Sequence, residues 1–96
     1  MGVREREIES YFVKRVREAG GLQRKFVSPG HRGVPDRIVI MDSAKDSSVH
    51  FVELKAPGKK LRPDQVREHK KLYDAGAEVW VIDSKEAVDN FIDKTS

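Results

Sequence analysis

The sequence predicts a single α/β domain spanning residues 1–96, with one mixed β-sheet flanked by helices. Three observations support this prediction. Ninety-six residues with 38% apolar side chains are enough for one core and leave no room for a second. Segments of helical periodicity occur near both ends and in the middle of the chain. Short apolar segments rich in β-branched residues lie between them.

The first half of the chain predicts one helix followed by three strands. Residues 4–18 place apolar side chains at helical spacing, and Gly20-Gly21 ends the pattern. Strands are then predicted at Leu22–Val27, Arg37–Met41 and Val49–Lys55. A Gly- and Pro-bounded loop separates the first two, and a polar turn over 42–48 separates the last two. Consecutive strands with short connections predict an antiparallel meander.

The second half predicts a helix, a strand and a C-terminal helix. Pro63 suits the first turn of a helix that runs to about Ala75, with Gly76 as its stop. This helix allows a crossover to a further strand over Glu78–Ile82. Asp83, with a glutamate three residues later, resembles the capping box of a final helix.

Composition and charge narrow the function classes. The absence of cysteine excludes disulfides, thiolate zinc sites and thiol nucleophiles. No apolar run approaches membrane-spanning length, and the N-terminus has no signal-peptide core, so we expect a soluble, cytoplasmic protein that does not bind membranes. Residues 54–72 hold seven basic and two acidic side chains, a net charge of +5. This concentration favours a polyanionic partner over an ordinary solvated surface.

Two carboxylates and an ammonium are predicted to meet at one end of the sheet. Asp36 precedes one strong strand, and Glu53 and Lys55 share a face at the end of the next. Such groups are costly at the ends of apolar strands unless they are paired or bind a metal. Mg²⁺ or Mn²⁺ suits the two carboxylates, with the Leu54 backbone carbonyl as a further neutral ligand. The chemistry indicated is metal-assisted phosphodiester hydrolysis, although either motif alone is a weak signal.

Longer motifs around these residues resemble a known family. Gly33-Val34-Pro35-Asp36-Arg37, Phe51–Gly58 and Leu61–Gln65 through Glu68-His69 are similar to the VRR-Nuc domain. That domain is the virus-type replication–repair branch of the PD-(D/E)xK nucleases, and this chain resembles its short, stand-alone phage or bacterial form. The resemblance implies a restriction-endonuclease-like αβββαβ core. It also implies that Asp36 and Glu53 bind Mg²⁺ or Mn²⁺ and that Lys55 is the catalytic lysine.

The resemblance further implies a helical glutamate, a glutamine and a DNA substrate. Glu5 and Glu9 share a helix face and both remain candidates, with Glu5 slightly favoured, and Gln65 matches the family's glutamine. Stand-alone members resemble homodimeric enzymes that cut four-way (Holliday) junctions in DNA repair. The alternatives are a flap or nonspecific nuclease, a non-catalytic or partner-dependent nucleic-acid-binding module, and a subunit-interaction protein.

Basic residues near the predicted site are expected to contact DNA. The alternative is that they are solvated surface charges or belong to a loop that only connects two elements. They are Lys59, Lys60, Arg62, His31, Arg32, Arg37 and His69. Two other residues outside this set are expected to have ordinary structural positions. His50 lies at the start of a predicted strand and is expected at the surface. Trp80 is expected to pack in the core or at a subunit interface.

Overall fold

A computed structural model, which describes residues 2–42 and 47–96, confirms the predicted α/β architecture. The helices are α1 (Glu5–Glu18), α2 (Pro63–Asp74) and α3 (Lys85–Thr95). The strands are β1 (Leu22–Lys25), β2 (Arg37–Asp42), β3 (Ser47–Leu54) and β4 (Glu78–Ile82). The turn predicted over 42–48 falls mainly on residues 43–46, which lie outside the described residues.

The four strands form one mixed sheet in the order β1-β2-β3-β4. The first three pair antiparallel as a meander, and β4 returns parallel to β3 after α2. This is the connection expected when a helix separates two neighbouring strands. The sheet thereby places the start of β2 beside the end of β3, where the polar residues of interest lie.

The core lies between α1, α3 and one face of the sheet. Phe12 of α1 and Phe91 of α3 are fully buried, with ring centroids 5.8 Å apart. Burial of each such side chain stabilises the fold by about 2 kcal/mol. Tyr11 adds a polar link between the helices, since its hydroxyl donates to Asp89 Oδ1 at 2.7 Å. Among the described residues, no helix is both long and apolar enough to cross a membrane.

Two local expectations are wrong. His50 is buried rather than exposed, because its ring packs among core side chains and its Nδ1 accepts the Trp80 indole N–H at 3.0 Å. The proton then lies on Nε2, which donates to Ser48 Oγ at 2.6 Å. The cap of α3 is Ser84 rather than Asp83, because the Ser84 hydroxyl accepts the Ala87 N–H at 3.0 Å.

Candidate active site

The antiparallel register of β2 and β3 sets Asp36 against Glu53. Arg37 pairs with Val52, so the next position in the same register places Asp36 opposite Glu53. The Leu54 backbone N–H donates to Asp36 Oδ2 at 2.9 Å, which holds this carboxylate against the end of β3. Asp36 is exposed as a residue and Glu53 is buried. Asp36 and Glu53 are therefore neighbours, although one lies at the surface and the other in the interior.

Lys55 completes this group of side chains. Because side chains alternate along a strand, Lys55 and Glu53 project to the same face. The Lys55 Nζ lies 3.8 Å from Glu53 Oε2, and its side chain is only 13% exposed. The ammonium is therefore held beside the buried carboxyl group rather than extended into solvent.

Helix α2 fixes the orientation of Glu53 through Gln65. The Gln65 Nε2 donates to Glu53 Oε2 at 3.0 Å, and its Oε1 accepts the Arg62 backbone N–H at 2.9 Å. The second bond determines which end of the amide faces Glu53, because only the NH₂ end remains to donate. Gln65 is itself buried, so its position indicates that it orients Glu53.

Burial and a neighbouring negative charge perturb the titration of Glu53. Its pKa is raised to about 7, first by burial and then by the Asp36 carboxylate, while Lys55 acts in the opposite direction. His69 lies beside it, with Nε2 3.9 Å from Glu53 Oε1. Burial lowers the pKa of His69, which favours the neutral ring. Within the described residues, Glu53 Oε1 and both ring nitrogens of His69 are buried without a hydrogen-bond partner.

The two helical glutamates line the cleft that leads to Asp36. This cleft has a volume of about 220 Å³, and Glu5, Glu9 and Asp36 all contribute to its wall. Glu9 forms an ion pair with Arg37, at 2.9 Å between Oε2 and Nη2. Glu5 makes no ion pair with any residue in the described parts of the chain. Of the two helical glutamates, Glu5 is thus the one with no ion-pair partner among the described residues.

The donor set fits a hard divalent cation. Asp36 and Glu53 are adjacent carboxylates, and Glu53 Oε1 is a buried oxygen that lacks a hydrogen-bond partner among the described residues. The carbonyl predicted as a neutral ligand belongs to Leu54, whose N–H already holds Asp36. Across residues 2–42 and 47–96, no three acidic or histidine side chains are close enough to form a ready metal cluster. The fit therefore rests on the Asp36–Glu53 pair, with Glu5 nearby in the cleft.

The structure divides the residues that were expected to contact DNA. Arg37 and His69 lie in the interior, at 7% exposure each. Arg37 is there because it bonds Glu9 and, through Nη1, the Gln23 side chain at 2.7 Å. Its position shows a link between α1, β1 and β2. The remaining expected residues are exposed: His31, Arg32, Lys59, Lys60 and Arg62.

A second cleft, of about 530 Å³, contains two residues of the basic segment 54–72 that were not among the individual residues expected to contact DNA. Arg67 and Lys71 line it together with residues 30–32 and the start of α2. Their spacing of four residues along a helix places them on one face, and that spacing was the available signal.

Comparisons with known proteins identify the family and the fold of the chain. Residues 6–86 match the VRR-NUC domain family. The chain is 50% identical over 84 residues to "Putative nuclease p44" of Acyrthosiphon pisum secondary endosymbiont phage 1, covering 88% of this chain and 87% of that protein. A solved structure described as a VRR_NUC domain superposes with a TM-score of 0.83 at 32% identity, covering 98% of this chain and 100% of the other.

Proposed function

The chain belongs to the VRR-NUC family of nucleases, and we propose that it is a Mg²⁺- or Mn²⁺-dependent DNA endonuclease. The observation that carries this proposal is the placement of Asp36, Glu53 and Lys55 around one point at the end of the sheet. A lone surface carboxylate would need no explanation. A buried glutamate beside a second carboxylate, with one oxygen that lacks a hydrogen-bond partner among the described residues, is costly without a cation.

The residues of the site divide the tasks of the proposed reaction among them. When bound, the divalent ion would polarise the phosphoryl oxygen and lower the pKa of a coordinated water. Asp36 and Glu53 would hold the ion, and Glu5 is placed to contribute from the cleft wall. Lys55 is positioned to stabilise the negative charge that develops on the phosphate during hydrolysis. Gln65 keeps the Glu53 carboxyl group in place.

Phosphate contacts of the substrate are assigned to the exposed basic residues near this point. Lys59 and Lys60 lie in the connection between Glu53 and α2, and neither makes an ion pair within the described residues. Arg62 follows at the start of α2, where its Nε lies 3.2 Å from Asp64 Oδ1. Because phosphate contacts release counterions, replacing Lys59 and Lys60 by alanine should weaken binding and flatten its salt dependence.

The sharper form of the proposal is selective cleavage of branched DNA by a homodimer. Register pairs Leu22 with Ile40 and Ile40 with Val49, so these three side chains form an apolar row on one face of the sheet. They are 46%, 41% and 51% exposed. The row supports docking of a second copy, and two sites related by a two-fold axis suit a four-way junction.

The dimer is tested by measuring molar mass by light scattering. Ile40→Lys places a charge in the apolar row and should yield a monomer. Val66→Lys is the matched control, because Val66 is 52% exposed but lies on α2. Equal molar mass for the wild type and Ile40→Lys would remove this interface from the account.

The nuclease proposal is tested with a cleavage panel. Four-way junction, flap, splayed and linear duplex DNA are incubated with the protein in Mg²⁺, Mn²⁺ or EDTA. Asp36→Ala and Glu53→Ala should abolish cleavage while leaving DNA binding largely intact, and Lys55→Ala should slow it. Asp93→Ala, an exposed carboxylate on α3, is the control. Wild-type rates in any of the three site variants would reject the site, and binding without cleavage would favour a non-catalytic module.

A further inference from the structure

The cleft beside α2 is separate from the cleft that holds Glu5 and Asp36. The two share no lining residue. The larger cleft, of about 530 Å³, lies between residues 30–32 and the outer face of α2, and charged side chains dominate its wall. Its ionisable residues are His31, Arg32, Arg62, Asp64, Arg67, Glu68 and Lys71.

The loop that forms one wall of this α2 cleft is pinned to the helix. His31 Nε2 and Glu68 Oε1 are 2.7 Å apart. Gly33 allows the close approach, because its φ is +89° and a Cβ at this position would lie 2.5 Å from the Asp64 carbonyl oxygen. Only glycine meets both requirements. The α2 cleft is therefore a preformed feature of the fold.

The acidic residues of the α2 cleft already have basic partners. Asp64 contacts Arg62 at 3.2 Å and Arg32 at 3.8 Å, and Glu68 contacts His31. The described residues provide no ion-pair partner for Arg67 or Lys71. The charge of these two side chains is therefore available to an external anion.

We propose that the α2 cleft binds the phosphodiester backbone of DNA through Arg67 and Lys71, away from the phosphate that is cleaved. The inference rests on the proposed function, which supplies DNA as the substrate. Arg67 and Lys71 are about 6 Å apart along the helix axis, close to the axial rise of about two nucleotides. Arginine suits this ligand because its planar guanidinium binds phosphate oxygens in pairs.

The experiment compares two double variants that remove the same charge. Arg67→Ala/Lys71→Ala alters the α2 cleft. Arg17→Ala/Lys94→Ala is the matched control, because both residues are exposed and lie in the last turns of α1 and α3. Arg67→Lys/Lys71→Arg retains both charges.

DNA binding is measured in EDTA at salt concentrations between about 50 and 200 mM. The duplex has hydroxyl groups at its ends, so that any phosphate the protein contacts is an internal one. Each phosphate contact contributes about 0.9 to the slope of log affinity against log salt. We therefore expect the slope for Arg67→Ala/Lys71→Ala to be shallower than that of wild type by about 2. The slopes for the control and the charge-retaining variant should be close to that of wild type.

A slope and affinity equal to those of the control variant would overturn the inference. The assay separates this failure from failure of the proposed nuclease, because binding in EDTA requires no cleavage. A reduced slope in a protein that cleaves no DNA would support the α2 cleft and count against the nuclease.

Discussion

Replacement of Glu53 by glutamine should stabilise the metal-free protein at alkaline pH. The residue is only 3% exposed and faces the Asp36 carboxylate, so the ionised form of its side chain is unfavourable in the fold. Glutamine has a similar size, carries no charge and keeps an oxygen that can accept the Gln65 N–H. The substitution therefore removes the electrostatic cost and retains most of the packing.

The magnitude follows from the pKa of Glu53. This pKa is raised from 4.5 to about 7 in the folded protein. A tenfold change in an equilibrium corresponds to about 1.4 kcal/mol, so the difference is on the order of 3 kcal/mol. Below pH 4.5 both states are protonated and the carboxyl group costs nothing. Between pH 4.5 and about 7 the unfolded chain ionises first, so the free energy of unfolding falls, and above this range the loss is complete.

Thermal unfolding at pH 5 and pH 8, in EDTA and in Mn²⁺, measures the effect. A change of 1 kcal/mol moves the midpoint of a domain this size by about 4–8 °C. We therefore expect Glu53→Gln to melt above wild type by roughly 10 °C or more at pH 8 in EDTA, with a much smaller difference at pH 5. Mn²⁺ should narrow the gap, because it stabilises only a protein that binds it.

The exposed Glu7 of α1 supplies the control. Glu7→Gln should melt close to wild type under all four conditions. If Glu53→Gln melted at or below wild type at pH 8 in EDTA, the argument that the fold strains this carboxyl group would fail.

Three further predictions concern the scaffold. Gly33→Ala should lower the free energy of unfolding in denaturant by about 2 kcal/mol or more, because φ is positive and the Cβ position is blocked. Gly30 also has a positive φ but open space around it, so Gly30→Ala should cost only about 1 kcal/mol. Tyr11→Phe should lower the free energy of unfolding by about 1 kcal/mol, because it removes the hydrogen bond to α3. Tyr73 is 68% exposed, so Tyr73→Phe should leave the stability almost unchanged. Burial lowers the pKa of His50 in the folded protein. As the pH falls below 6.5, the unfolded chain therefore takes up a proton at His50 before the folded protein does, and the free energy of unfolding falls. A His50→Gln variant should lose less stability than wild type between pH 7 and pH 5.

Sequence reasoning predicted what depends on local pattern and strand order. The helices and strands follow from periodicity and from their Gly and Pro boundaries. The meeting of Asp36 with Glu53 follows from two adjacent strands that run in opposite directions. These inferences need only neighbouring segments of the chain.

Interactions between distant segments were not predictable in the same way. Arg37 looked like a surface cation, but Glu9 from α1 and Gln23 from β1 meet it in the interior. His50 looked exposed, but Trp80 from β4 supplies its hydrogen bond. In both cases the partner comes from another element, so the cost of burying a polar group is offset by a contact that the local sequence does not reveal.

Manganese binding tests the central claim most directly. The electron paramagnetic resonance signal of free Mn²⁺ is titrated with wild-type protein and with Asp36→Asn at pH 8. Asparagine keeps an oxygen that can accept the Leu54 N–H, so the local fold should persist. The account predicts that wild-type protein depletes the free-ion signal and that Asp36→Asn does not. Equal depletion by both proteins would contradict a site in which Asp36 and Glu53 bind the ion together.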